Sequence, residues 1–242
     1  LSNDLVNALA RRFIHRTDVK AWQHTDGAYY PDRTPITRAD LNAHVAGTKT
    51  LGHYLLGTDN KCKFACFDID LNVDGLWDGE PYKPREEFAN PDSPYREGLI
   101  GQLASTAEVL ARHAHKILGV DVAISFSGAK GCHVYLLTGL DIAADVRAAA
   151  VTVLEAVGLW HPTRGQNFYG SDNPESAYTI EVFPKQDTLD SKDLGNLLRL
   201  ALGINRKSGK PGLFLRVGGG KRASFHAMDP IAALSGELPW KN

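Results

Sequence analysis

Cysteine, methionine and long apolar runs are all scarce in this chain of 242 residues. Its three cysteines, Cys62, Cys66 and Cys132, are too few and too clustered for a disulfide framework. A reducing, cytoplasmic setting is therefore expected. Cys62-x-x-x-Cys66 supplies half of a zinc pattern, but no second pair follows, and cysteines buried on a strand are the simpler reading. No apolar run approaches membrane-spanning length, and the first residues lack a signal-peptide pattern, so no membrane partner is expected. The chain starts at Leu1 and its one methionine is Met228. That suggests a domain cut from a longer polypeptide, with further domains of the same chain as its partners. Internal repeats and low-complexity linkers are also missing.

Net charge is close to absent too, at −1, but its distribution is uneven. Residues 68–97 hold nine acids against three bases, a balance of −6; residues 185–222 hold nine bases against three acids, a balance of +6. A polyanion drawn to the second region could meet a metal held near the first. Two solvated faces of opposite sign are the plainer alternative.

What is present begins with Phe64-Ala-Cys-Phe-Asp-Ile-Asp70, an apolar strand that ends in two acids. Residues two apart on a strand share a face, so Asp68 and Asp70 project together, with roughly 7 Å between their Cα atoms. Side-by-side carboxylates repel unless a positive group lies between them. A hard divalent cation, Mg²⁺ or Mn²⁺, suits such a pair when phosphate oxygens complete the shell.

Hydrophobic spacing and breaker residues divide the rest of the chain. Helices are expected over 2–15 (capped by Ser2 or Asn3), 37–46 (capped by Thr37, ended by Gly47), 101–118 (ended by Gly119) and 143–157 (ended by Gly158). Strands are expected over 50–56, 64–70, 120–126, 134–137 and 177–183. Segment 16–36 reads as irregular or short-stranded, 71–98 as a loop or lid, and 160–176 as irregular. Segment 194–202 is a short apolar stretch followed by a basic loop.

Between the third and fourth strands lies Ser127-Gly-Ala-Lys-Gly-Cys-His133. Gly128 and Gly131 let the backbone turn tightly and approach a ligand with its N–H groups. Lys130 adds a mobile charge, Ser127 a hydroxyl and His133 a ring donor, a set that suits a triphosphate. It is not a P-loop, because that glycine–lysine spacing is absent and both flanking elements are strands. A glycine-rich hairpin with incidental polar residues weighs about equally. Glu181 lies on the last strand, opposite in facing to Ile180 and Val182, where it could join Asp68 and Asp70. His53, on the 50–56 strand, is a weaker candidate for the same site.

The succession of strand with Asp68-Ile-Asp70, helix, strand, Ser127–His133 hairpin, strand, helix and strand with Glu181 resembles the archaeo-eukaryotic primase superfamily. Gly47-Thr-Lys-Thr-Leu-Gly-His-Tyr54, Glu181-Val-Phe-Pro-Lys-Gln-Asp187 and Gly195-Asn-Leu-Leu-Arg-Leu200 are similar to the primase-polymerases of bacterial mobile-element, CRISPR-associated and conflict systems. The resemblance covers roughly residues 10–205. The third acid is glutamate where many relatives have aspartate. It implies an α+β fold: a primase catalytic core with an RRM-like, mainly antiparallel sheet over 61–205. An αβ unit built from about 1–60 and part of the middle would pack on it, and 206–242 would form a basic C-terminal extension.

The resemblance also implies the chemistry, a template-directed DNA primase-polymerase. Asp68, Asp70 and Glu181 would hold two Mg²⁺ or Mn²⁺ ions between a 3′-hydroxyl and an incoming dNTP or NTP. Ser127, Gly128, Lys130, Gly131 and His133 would hold the triphosphate, with Lys185, Asn196, Arg199 and His53 as further nucleotide contacts. Segment 206–222 would follow the backbone of a single-stranded or primed DNA template. A metal-dependent nuclease is the nearest rival, although it has no use for a triphosphate cradle. A catalytically idle nucleic-acid-binding module is the third reading; it would bind DNA without metal and without the three acids.

Overall fold

A computed structural model describes residues 3–72, 74–77, 80–162, 168–171, 176–189, 194–218 and 222–240. Ser2 and the charged residues Asp78, Asp190, Lys192, Asp193 and Lys221 lie outside the described residues.

The chain opens with helix α1 (Asn3–Phe13), which buries Val6, Leu9 and Phe13 along one stripe. Strands β1 (Lys20–Gln23) and β2 (Tyr29–Asp32) form a hairpin. In helix α2 (Arg38–Val45) the Thr37 side chain accepts the Asp40 N–H while the Asp40 carboxylate accepts the Thr37 N–H. This reciprocal cap satisfies two donors that the helix start leaves unpaired. Strand β3 (Leu51–Tyr54) then pairs with β1.

The next stretch contains β4 (Lys61–Cys62), β5 (Ala65–Leu71), the hairpin of β6 (Gly75–Trp77) and β7 (Glu80–Tyr82), and helices α3 (Pro84–Ala89) and α4 (Arg96–Leu118). Strands β8 (Asp121–Phe126) and β9 (Gly131–Leu137) follow, then β10 (Asp141–Ile142), which pairs with β4, and helix α5 (Ala143–Ala156). The remainder is β11 (His161–Pro162), β12 (Phe168–Gly170), β13 (Tyr178–Phe183), β14 (Leu197–Arg199), β15 (Leu213–Gly218), β16 (Ser224–Ala227) and helix α6 (Pro230–Leu234). Among the described residues no helix is long and apolar enough to cross a membrane.

Eight strands form the main sheet in the order β11-β12-β13-β5-β9-β8-β15-β16, and every pairing in it is antiparallel. Its centre, β5-α4-β8-β9-α5-β13, is a β-α-β-β-α-β unit with strand order β13-β5-β9-β8, the RRM-like arrangement. The protein is thus an α+β fold with a mainly antiparallel sheet. Helices α4 and α5 cover one face, on which Phe67, Ile69, Val134, Ile180 and Val182 are buried. A smaller sheet, ordered β14-β3-β1-β2, stands over the other face. Phe13 of α1 joins the two, meeting Phe64 and Tyr135 edge-to-face with ring centroids 5.2 and 4.9 Å away.

Several boundaries differ from the sequence expectation. Helix α4 starts at Arg96 rather than Gly101, because buried Leu99 extends the stripe of Leu103 and Ala107 upstream and outweighs the glycines. The supposed loop 71–98 carries the β6–β7 hairpin and α3. The short apolar segment at 194–202 contains β14, which completes the N-terminal sheet by pairing with β3. Residues 206–242 are not an appended extension: β15 pairs with β8 and buries Phe214, Leu215 and Val217, so this segment widens the main sheet. The bases and glycines on either side of β15, among them Lys207, Lys210 and Arg222, disguised it as part of a basic loop.

Candidate active site

Strand register builds the site. Asp68 stands opposite Glu181 on β13 and opposite His133 on β9, and His133 stands opposite Ser125 on β8. Four polar side chains therefore form one row across the face away from the helices. In the next row Asp70 lies between Thr179 and Gly131; in the row on the other side, Cys66 lies between Phe183 and Tyr135. Period-two alternation places Asp68 and Asp70 on one face, and it places Glu181 there as well.

Each carboxylate has a basic neighbour. Lys130 Nζ lies 2.6 Å from Asp70 Oδ2, His133 Nε2 lies 3.3 Å from Asp68 Oδ1, and Lys185 Nζ pairs with Glu181. Burial is the largest influence on all three acids and pushes each upward. For Asp70 burial and the charge of Asp68 outweigh Lys130, so its pKa is raised. Glu181 is likewise raised by burial against the pull of Lys185. For Asp68 the nearby His133, Lys130 and Arg199 outweigh burial and hold it below the ordinary carboxylate value.

Beneath the row, His133 Nδ1 lies 2.8 Å from the Tyr135 hydroxyl, which accepts a 3.3 Å hydrogen bond from Ser125 Oγ. That order of donors leaves the tyrosine proton for Nδ1 and places a ring proton on Nε2, facing Asp68.

The Ser127–His133 segment is a tight β8–β9 connection, closed by the Ser127 N–H donating to the Gly131 carbonyl at 2.9 Å. Gly128 adopts φ +71°, and a side chain there would meet Asn205 and the Lys210 carbonyl. A Cβ on Gly131 would overlap the Ile69 carbonyl oxygen and crowd Asp70 Oδ1. Both glycines are therefore required by close approach, the first also by its left-handed backbone. Arg199 reaches from β14 to the Ser127 carbonyl, so the small sheet grips the hairpin of the large one. Its Nη1 is buried without a partner.

A cleft of about 390 Å³ opens between the two sheets. Asp68, Asp70, Ser127, Lys130, His133 and Arg199 line it; Glu181, Gly128, Gly131, Lys185 and Asn196 stand outside that lining. Lys185 is drawn to Glu181, and Asn196 accepts the Lys185 N–H at 2.7 Å, so Asn196 fixes the start of that segment. His53 is not brought to the cleft. It is 1% exposed, lies against Phe13 and Phe64, and has neither ring nitrogen hydrogen-bonded. Burial pushes its pKa down to about 3, so it is a neutral core residue. Gln23, Tyr29 and Asn205 also line the cleft. Sequence reasoning missed them because Gln23 and Tyr29 fall on short strands without apolar alternation; the one signal for Asn205 is its place ahead of the basic loop.

The acids also fit a divalent cation. Asp68 Oδ1 is buried with His133 Nε2 at 3.3 Å as its polar neighbour, and the three carboxylates occupy adjacent register positions. Among the described residues no three ligands converge as they stand. Asp70 and Glu181 are turned to their lysines, which would have to release them.

No curated protein matches the chain. A family model described as the TOTE conflict system, Archaeo-Eukaryotic Primase domain, matches residues 5–221, a span that contains every residue of the polar row, the hairpin and the small sheet. The chain belongs to that family of archaeo-eukaryotic primase domains.

Proposed function

We propose that this domain is a DNA primase-polymerase that joins dNTPs or NTPs to a 3′-hydroxyl on a single-stranded or primed DNA template. Its family is one of primase-type nucleotidyltransferases, which use nucleotides and nucleic acid and generally require divalent metal ions. The observation that carries the reading is the position of Asp68 and Asp70 beside the Ser127–His133 hairpin on the wall of one cleft, with Glu181 opposite Asp68 on the neighbouring strand. Asp68, Asp70 and Glu181 would hold two Mg²⁺ or Mn²⁺ ions, which supply Lewis acidity to the 3′-hydroxyl and to the leaving pyrophosphate.

The chain's own residues do the rest. Lys130, the Ser127 hydroxyl, the ring N–H of His133 and hairpin backbone N–H groups bind the triphosphate, with Gly128 and Gly131 allowing it to come close. Arg199 adds charge from the opposite sheet and, through Ser127, fixes the distance between cleft walls. Lys185 pairs with Glu181 in the free protein. Binding in this way holds the α-phosphorus in line with a 3′-oxygen, which is most of what phosphoryl transfer asks of a protein.

The test is extension of single-stranded and primed templates with Mn²⁺ and labelled nucleotides. Wild type makes product and Asp68→Ala, folded by circular dichroism, makes none. Wild-type rates in a folded Asp68→Ala protein would refute the assignment.

A further inference from the structure

A second groove, of about 440 Å³, shares a wall with the catalytic cleft: Ala129, Lys130 and Asn205 line both. It runs between α3 and the loop that leads from β14 to β15. Four cations rim it, Arg85, Lys130, Lys207 and Lys210. Its one carboxylate, Glu86, is engaged by Lys83 at 3.2 Å. Among the described residues, Arg85, Lys207 and Lys210 have no carboxylate within ion-pair distance. The floor beneath the charges is apolar, made by Phe88, Ala89 and Ala129.

The lysines are mounted on a fixed frame. Asn205 Oδ1 accepts the N–H groups of Lys207 and Ser208 at 3.1 and 3.3 Å, and the Ser208 hydroxyl binds the Gly128 carbonyl. The loop is thereby fastened to the hairpin that lines the cleft. Arg96 lies 5.8 Å from the Phe88 ring centroid, and a groove on the other flank of the cleft, at Trp22, holds its cations more closely. There Lys49 already covers the Trp22 ring at 4.8 Å and Arg206 donates to the Gly47 carbonyl at 2.9 Å.

We infer that the α3 groove holds the unpaired template strand just ahead of the primer end. This rests on the nucleotidyl-transfer reading above, in which the hairpin wall carries the triphosphate. In-line displacement sends pyrophosphate away from the primer terminus, so a groove beyond that wall is on the downstream side. A bare pyrophosphate would use the cations and leave the apolar floor idle. A single strand uses both, with its phosphates on the lysine and arginine rim and a base against Phe88. Continuity with the cleft brings such a strand to the templating position without a turn around the loop.

The experiment measures affinity by fluorescence anisotropy for two primer-template DNAs that differ only in the unpaired 5′ template overhang, two nucleotides against ten. Wild type should bind the long overhang about tenfold tighter at low salt, with a steeper salt dependence. Arg85→Glu, on the exposed side of α3, should erase that difference and leave affinity for the short overhang unchanged. Phe88→Ala should reduce the difference without altering the salt slope, because it removes a stacking surface and no charge. Equal affinity of wild type for the two overhangs, or an equal loss on both in Arg85→Glu, would overturn the groove while leaving nucleotidyl transfer standing. Failure to bind or extend either DNA would overturn the nucleotidyl-transfer reading, and the groove with it.

Discussion

Removing a lysine from the candidate site should tighten its grip on metal. Lys130 Nζ and Asp70 Oδ2 are 2.6 Å apart, with side chains 24% and 29% exposed. With an effective dielectric of about 20, the bare attraction at that distance is about 6 kcal/mol. Desolvation, side-chain ordering and solvent screening reduce the net worth of such partly exposed pairs to about 1 kcal/mol. A cation binding Asp70 in the free protein must displace Lys130 and forgo that amount. Lys130→Met takes away the competitor and preserves the aliphatic stem, so Mn²⁺ affinity without nucleotide should rise about fivefold, the equivalent of about 1 kcal/mol. Affinity for a non-hydrolysable triphosphate with Mn²⁺ should fall by at least as much, since the phosphate then lacks its cation. Mn²⁺ titration followed by electron paramagnetic resonance at one fixed pH reads the first effect; nucleotide titration reads the second. Weaker or unchanged Mn²⁺ binding in folded Lys130→Met would refute the view that lysine and metal compete for Asp70.

Two further predictions concern groups behind the cleft. Tyr135→Phe keeps the ring packing against Phe13 and Phe64 but removes the hydroxyl between Ser125 and His133. Losing about 1 kcal/mol of hydrogen bonding should raise the nucleotide KM about fivefold with kcat little changed; an unchanged KM in steady-state extension would argue that His133 needs no support. His44 accepts the Leu51 N–H at Nδ1 and donates from Nε2 to the Ala201 carbonyl, and burial pushes its pKa down to about 4 from an unfolded value near 6.5. The unfolded chain therefore binds the extra proton between those values. The stability held by neutral His44 is complete above pH 6.5 and is lost as pH falls toward 4, by about 3 kcal/mol in all. Urea unfolding of wild type and His44→Gln at pH 7 and pH 4.5 should show the variant losing less on acidification, the remainder including buried His53.

Where the chemistry depended on strand alternation, the sequence was a sufficient guide. Asp68, Asp70 and Glu181 lie on one face because a period of two leaves no other arrangement once Ile69, Ile180 and Val182 are buried. Thr37 and Gly119 bound their helices as their side-chain chemistry requires, the first by accepting the Asp40 N–H and the second by taking φ +67°. Pairing between distant segments was not legible. Nothing local to Leu197–Arg199 says that β3 is its neighbour, so Arg199 could be suspected of a role but not placed as the bridge to Ser127. His53 shows the reverse error. Its strand was foreseen, but the face it takes depends on Phe13 and Phe64 arriving from elsewhere. The α3 helix escaped because it is short and lies among prolines and acids, where periodicity has too few residues to speak.

The closing of the small sheet by β14 also bears on how the protein is made. Strand β3 ends at Tyr54, yet its partner Leu197 is translated 143 residues later. At about 5–20 residues per second, the β3 edge waits about 7–30 s on the ribosome before it can be capped. Over that interval it is an open template for mispairing, the hazard that edge strands carry. A nascent or cleaved chain lacking the region around Arg199 would possess all three acids and the whole hairpin but would lack Leu197, Leu198 and Arg199 on the opposite wall of the cleft. The three acids are all made by residue 181, before β14 at Leu197–Arg199, so a chain interrupted between them would carry the catalytic side chains without the strand that completes the enclosure over them.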